Sequence, residues 1–530
     1  MTGFASTSRR TALAAGIALT ALVAATPALA QKTMITGGFD VGPGGFQGNF
    51  NPLAASAGFT WLTTYLEPLV VYDARLERAV GALATSWQVS ADKLAYTFKL
   101  APGAKWHDGK PFTSADVKFT IALAKEPKSG SVFAARLAAV KDVKTPDDAT
   151  AVIELSQPNA SLMDSLTKLM MLPAHALGGI PVEALAKHEW WSKSPIGTGA
   201  FKFVKYETDQ YVELAANADY RGGKPKVDGL INRYFKTTAT AAAALKSGEI
   251  QVSYVEVDDA KTFAGNPAFR VVEADSYVVN YLGFNHDAPL WKDERVRQAV
   301  MHAIDRNAII QSLYAGAAKP ANCAYVADHL VPAGLEPYAY NPEKARQLLR
   351  DAGWAQINGA KPFTLLTYYN SPQALNVMAA MQAMLAQVGI NVVPKAVDVP
   401  TYNATVYAQS PDWNQYPVVF AGIQIGPDAS NLNIALNDKQ IPPAGANVAR
   451  VRNAAVTAAL DAALAETDDD KLAGRFQEVC RAMNKSVPWG TMWVAKRYGI
   501  VSTKLKDFTW LPAPAGGPYD QKPQAWSIAP

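Results

Sequence analysis

Cysteine is nearly absent from this 530-residue chain, which has only Cys323 and Cys480. A dense disulfide scaffold is therefore excluded. Histidine is scarce too. The six histidines are His107, His175, His188, His286, His302 and His329, and none pair at metal-ligand spacing. The sequence lacks a G-x-S-x-G elbow, an H-E-x-x-H pair and a G-x-x-x-x-G-K-[ST] phosphate loop. Gly42-Pro43-Gly44-Gly45 is Gly-rich but matches no dinucleotide fingerprint, and reads as a loop. These absences weaken a catalytic reading, although scattered groups can still converge in a fold. Charge of either sign is not in excess. The formal net charge is +4, and removing residues 1–30 takes away two arginines, leaving 48 basic against 46 acidic residues. Such a balance gives no basis for binding nucleic acid or an anionic membrane surface. Beyond the N-terminus, no stretch is long and apolar enough to span a bilayer.

What is present begins with a leader. Ser8-Arg9-Arg10 is a basic start, Thr11–Ala25 is an Ala/Leu-rich run too short for a membrane span, and Ala28-Leu29-Ala30 is a small-residue cleavage site. Residues 1–30 are thus expected to be a cleaved signal peptide. The arginine pair is compatible with twin-arginine export, and ordinary secretion stays open. No cysteine follows the cleavage site for a lipid anchor, so a periplasmic location is expected. The remaining 500 residues exceed one hydrophobic core, and the composition of the full chain, 49% apolar and 18% charged, fits two or three packed lobes.

The pattern along the chain is α/β. A strand is expected at Tyr96–Leu100, a turn at Pro102-Gly103, a helix capped by Thr113 or Ser114, and a strand at Ala151–Leu155. Phe201–Val204 and Tyr211–Leu214 read as a hairpin-like pair. Asp293 and Asn341-Pro342 start helices, and Gly353 follows the second. Phe363–Tyr368, a helix from Ser371-Pro372, Gly389 and Ile390–Val393 form a β-α-β unit with parallel strands. Ligands gather at the C-terminal ends of strands in such sheets, which singles out Tyr368, Tyr369 and Asn370. Met378, Met381 and Met384 read as helix packing. Asp468-Asp469-Asp470 reads as a helix cap with dipole complement, not a metal site. Cys480 lies on the apolar stripe Leu472, Phe476, Val479, Met483. Two readings stay open for it: a buried small hydrophobe, or a disulfide with Cys323.

Four ordered segments carry a family likeness. They are TSWQVSADKLAYTFKLAPGAKWHDGKPFTSADVKFT (Thr85–Thr120), PIGTGAFKFVKY with ADYRGGKPKVDGL, LGFNHDAPLWKDERVRQAVMHAIDRNAII, and YNPEKARQLLRDAGW. The chain resembles the family 5 extracellular solute-binding proteins of ABC importers, the oligopeptide, dipeptide and nickel group. The resemblance implies a periplasmic-binding-protein-like fold of two hinged lobes plus an extra α+β lobe. Lobe I would comprise 31–75, 191–285 and 490–530, the extra lobe II 76–190, and lobe III 286–489. It implies a monomer without cofactor, holding a small ligand for a membrane permease. In peptide-binding relatives an Asp on a loop pairs with the ligand's amine. Here that position falls near Ile425-Gly426, while Asp428 matches a later Asp of the family pattern, and Ile423 stands where Trp is common. Asp428, Gly426 and Trp413 are the resulting candidates, with Tyr369, Asn370, Tyr281 and Asn285. Nickel finds no histidine in the loop. If Asp428 does not reach an ammonium, a neutral oligosaccharide gains ground, because an unpaired buried ammonium costs several kcal/mol. A secreted hydrolase and a sensor or chaperone-like receptor are the readings of other classes.

Overall fold

Local signals in the sequence sit where elements begin and end. The computed structural model describes residues 33–41, 50–53, 62–74, 78–407, 416–425, 431–442, 444–466, 468–509 and 522–529. The expected leader and the Gly42–Gly45 loop lie outside them. Thr113 starts the helix Ser114–Lys125 in a capping box, its N–H donating to the Asp116 carboxylate at 2.9 Å. Asp293 caps α1 (Glu294–Ala303), and Asp305 caps α2 (Arg306–Leu313). Asn341 caps α3 (Pro342–Asp351), which ends before Gly353 at φ 73°. Ser371 caps α4 (Pro372–Ala386), whose Val377, Met378 and Met381 are buried. Asp468 caps α5 (Asp469–Ser486) by accepting from the Asp470 N–H.

Ten strands of an 11-stranded sheet form one continuous path. In chain order they are β1 (Met34–Val41), β2 (Phe201–Glu207), β3 (Tyr211–Ala216), β4 (Gly229–Phe235), β5 (Val252–Val255), β6 (Phe269–Phe284), β7 (Phe363–Thr367), β8 (Val392–Ala396), β9 (Val418–Gln424) and β10 (Trp489–Ser502). Their spatial order is β8-β7-β9-β6-β10-β5-β1-β4-β3-β2, and Ala318–Pro320 pairs off the path with β10. β7 is parallel to both β8 and β9, as the β-α-β pattern requires. The second strand of that unit starts at Val392, not Ile390. β8 ends the sheet, so Pro394, which donates no N–H, is tolerated inside it. A separate four-stranded sheet joins Ala84–Val89, Ala95–Leu100, Thr150–Leu155 and Val140–Asp147.

The two halves of the large sheet meet through β6 and β10 alone among the described strands. These strands pair antiparallel from Phe269↔Ser502 to Asp275↔Lys496, and again from Val279↔Val494 to Gly283↔Trp489. Between the two runs the register breaks, with Ser276, Tyr277 and Val278 facing the single residue Ala495. Partners also change there. β10 pairs with β5 at residues 498–501, whereas β6 pairs with β9 from Val278 onward. A bulge of this kind adds twist and bend to both strands.

The motif segments meet one another through buried polar contacts. The His107 Nδ1 accepts from the Gly197 N–H at 3.1 Å, and its Nε2 lies 3.1 Å from the Gly199 carbonyl. Only the neutral Nε2–H tautomer satisfies both. Gly197 is required because a Cβ there would overlap the Tyr65 carbonyl. Thr198 and Tyr220 donate to the buried carboxylate of Glu67, which Arg221 clamps with two bonds of 2.6 and 2.7 Å. The buried Arg297 guanidinium donates to the carbonyls of Ser486 and Val487 at the end of α5. The buried Arg306 donates to the carbonyls of Ala321 and Thr491. The layer built on the smaller sheet reaches the large one where Arg136, beside Asp164, donates to Asn431.

Cys323 and Cys480 form a disulfide across 157 residues, and both are buried. The two sequence readings of Cys480 are therefore compatible. Denatured protein should titrate with no free thiol. The C323S/C480S variant should lose about 2–5 kcal/mol in denaturant unfolding, as loss of a long-loop disulfide does.

Burial pushes the His107 imidazole down to about 4. The unfolded chain binds a proton near pH 6.5 that the native site refuses, so this stability is complete above 6.5 and drains as pH falls toward 4. Between pH 7 and 5 the loss is about 2 kcal/mol from this residue. Urea midpoints at the two pH values should show His107→Gln losing correspondingly less than wild type.

Candidate functional site

Strand β7 stops pairing with β9 at Thr367↔Phe420, and two tyrosines extend the connection. The Thr367 Oγ1 accepts from the Tyr369 N–H at 3.1 Å, bending the chain beyond the strand. The Tyr368 hydroxyl then sits 3.2 Å from both the carbonyl and the N–H of Gly422 in β9. The Tyr369 hydroxyl donates to the Asn280 Oδ1 of β6 at 3.1 Å. Asn280 and Gly422 are themselves ladder partners. Three strands are thus fastened at one point, beside the register break and at the C-terminal ends of the parallel strands β7 and β9. Gly422 allows this approach, because a Cβ there would overlap the Tyr369 hydroxyl and lie 2.8 Å from Val278 Cγ1.

Aromatic rings fill the surroundings. Tyr368 packs on Tyr369 at 4.5 Å and edge-on against Tyr402 at 5.0 Å. Tyr402 lies in α6 (Val399–Val406), whose first turn is capped by Asp398. Tyr281 stacks on Trp489 at 4.3 Å with planes 22° apart. Burial holds the phenols of Tyr281, Tyr369 and Tyr402 well above their ordinary range, so all stay neutral. Across the break, Arg497 of β10 lies over the Tyr254 ring at 4.7 Å, and burial lowers it to about 10, still charged at neutral pH. Among the described residues no group of three or more His, Cys, Asp or Glu is arranged to hold a metal ion. No helix among them is long and apolar enough to cross a membrane.

The structure gathers Tyr369 and Tyr281 here, and Asn370 is exposed just past Tyr369. Asn285 is elsewhere. It follows the C-terminal end of β6, fully buried, where its N–H bonds the Pro417 carbonyl and its Oδ1 accepts from the Asp287 N–H. Five residues of strand separate it from Asn280, about 17 Å. Its amide organises a turn. Trp413, Gly426 and Asp428 lie outside the described residues. Sequence reading does not find Asn280, Gly422, Tyr402 or Tyr407. Their one signal is Asn280 beside Tyr281 on a strand, and no spacing announces contacts such as Tyr369 with Asn280, 89 residues apart, or Tyr368 with Gly422, 54 apart.

The comparisons place this geometry in a class. The sequence profile of the bacterial extracellular solute-binding proteins, family 5, matches residues 78–441. A protein of Brucella melitensis provisionally named an ABC transporter peptide-binding protein is 65% identical over 517 residues, 98% of each chain. The glutathione-binding protein GsiB of Pectobacterium atrosepticum is 28% identical over 511 residues, 95% of this chain and 96% of its own. In fold, the oligopeptide-binding protein AppA of Bacillus subtilis, solved with a nonapeptide, superposes with a TM-score of 0.82 at 24% identity, covering 94% of this chain and all of that one. NikZ of Campylobacter jejuni, solved with Ni(L-His), gives 0.81 at 24% identity, over 93% and 99%. The fold is that of an extracellular ligand receptor. The chain belongs to the family 5 bacterial extracellular solute-binding proteins.

Gly422→Ala should cost about 1–3 kcal/mol, the range for overpacking. Tyr369→Phe in the same chain should restore part of the loss, since the hydroxyl is what the new methyl meets. Urea unfolding of the single and double variants measures that coupling.

Proposed function

We propose that this chain is the ligand-capturing component of an ABC importer, acting outside the cytoplasmic membrane after removal of residues 1–30. It binds its ligand, releases it unchanged to a permease and catalyses nothing. The observation that carries the reading is the break in the β6–β10 ladder beside a tyrosine-lined strand end. Two half-sheets joined by two bent strands suit a hinge motion around a ligand. Lobe I is then 31–75, 191–285 and 490–530, lobe III is 286–489, and 76–190 forms lobe II, with the hinge at Ser276–Val278 and Ala495. The protein works as a monomer.

The ligand class is peptide. The 65%-identical relative's provisional name points there, and AppA holds a nonapeptide in the same fold. Asp428 and Gly426 belong to the loop offered to the peptide amine, and Trp413 to the aromatic lining. A neutral oligosaccharide is the second reading, and the neutral phenols around Tyr368 favour it.

Thermal melting of the mature protein should separate the two. At a ligand concentration of 100 Kd the gain is about 2.7 kcal/mol, a rise of several degrees. Short peptides should give it, and oligosaccharides, opines and nickel should not. A rise with oligosaccharides alone moves the ligand to the second reading. Mass spectrometry of released ligand should recover it intact, and its cleavage would sink the non-catalytic role.

A further inference from the structure

Buried phenols ordinarily find a hydrogen-bond partner. Tyr281 is 5% exposed and Tyr402 4%. Yet among the described residues neither hydroxyl is bonded, and that of Tyr407 is not bonded either, although Tyr368 and Tyr369 beside them are fully engaged. These rings belong together. Tyr281 and Tyr402 share one buried apolar cluster with Tyr368 packed against it, and Tyr402 meets Tyr368 edge-on. Tyr407 follows α6 directly and keeps 46% of its surface exposed, so the group opens to solvent on that side. Tyr407 is the residue that closes the helix carrying Tyr402.

The charge around them decides what they can hold. Besides burial, the groups that raise Tyr281, Tyr402 and Tyr407 are other phenols, while Tyr368 is bonded to Gly422. A carboxylate or ammonium entering among these phenols loses its water shell and meets no counter-charge from them. A neutral group loses far less. Each free phenol can donate one bond and accept another, and the rings offer flat apolar faces.

We propose that Tyr281, Tyr402 and Tyr407 form a subsite for an uncharged hydrogen-bonding group of the ligand, an amide or a hydroxyl. The proposal rests on the reading that ligand is held at this end of β7 and β9, and adds the chemistry of one part of it. The charged ends of a peptide lie away from this subsite, and its backbone amides lie in it. In an oligosaccharide a ring hydroxyl takes the same place.

Tyr→Phe exchange removes the hydroxyls and keeps the rings. The Y281F/Y402F/Y407F variant should melt, without ligand, close to wild type, because none of the three hydroxyls it removes is bonded within the described fold. A fall of several degrees shows that the hydroxyls serve the fold and overturns the proposal. Calorimetric titration then uses three probes: an N-acetylated tripeptide amide, the same tripeptide with free ends, and maltotriose. Affinity for the blocked peptide or for maltotriose should weaken about tenfold or more, the worth of one or two hydrogen bonds. Loss with the blocked peptide assigns an amide, and loss with maltotriose a hydroxyl. A loss confined to the free-ended peptide overturns the neutral chemistry. Gly422→Ala, titrated well below its melting temperature, separates the two levels. If it weakens binding and the triple variant does not, the subsite falls and the strand-end reading stands. If neither changes any affinity, the strand-end reading falls and takes the subsite with it.

Discussion

The antiparallel pairing of β6 with β10 is the contact on which the architecture turns. Each strand runs on through both halves of the large sheet, and on the path those halves share no other ladder. The pairing must hold two bodies together and still bend. It does so by being continuous in its strands and interrupted in its register. Three residues facing one at Ser276–Val278 give the strands local freedom without exposing a free edge. The tyrosine cluster stands just beyond that interruption, where the register shifts once more between Asn280 and Tyr281, so a ligand bound there touches the place where the two halves are joined.

The motifs that make the family recognisable serve this frame more than the ligand. His107, Gly197, Arg297 and Arg306 are buried polar or close-packed residues that fix one segment against another. A buried guanidinium bonded to several carbonyls tolerates little change, because removing it leaves acceptors without partners. Such residues give a sequence its family signature. The residues around Tyr402 and Tyr407 carry no comparable demand, and a binding surface of this kind can vary while the frame persists.

This difference explains what was legible in the sequence. Caps at Thr113, Asp293, Asn341 and Ser371, and stops at Gly353 and Gly389, are local signals and could be read directly. The parallel β7–β8 unit followed from them, and only its second strand slipped, where edge position made Pro394 acceptable. The tyrosine cluster depends on Tyr369 meeting Asn280 across 89 residues and on Gly422 lacking a side chain. Period and composition do not encode such meetings. Asn285 shows the converse. It comes directly after the same strand and next to recognisable residues, but the strand ends at Phe284 and its amide shapes the turn that follows.

The position of β10 has a consequence for the order of synthesis. It is the last strand of the large sheet in the chain, yet it lies inside the sheet, between β6 and β5. While residues 489–502 are still to be added, β5 and β6 present open edges to each other, and the two half-sheets are unjoined. A nascent chain therefore holds these unpaired strand edges from the completion of β6 at Phe284 until β10 begins at Trp489, the state most prone to wrong pairing. The bridging strand closes both edges in one step. The complete sheet is a property of the finished polypeptide, assembled after the chain is made rather than as it emerges.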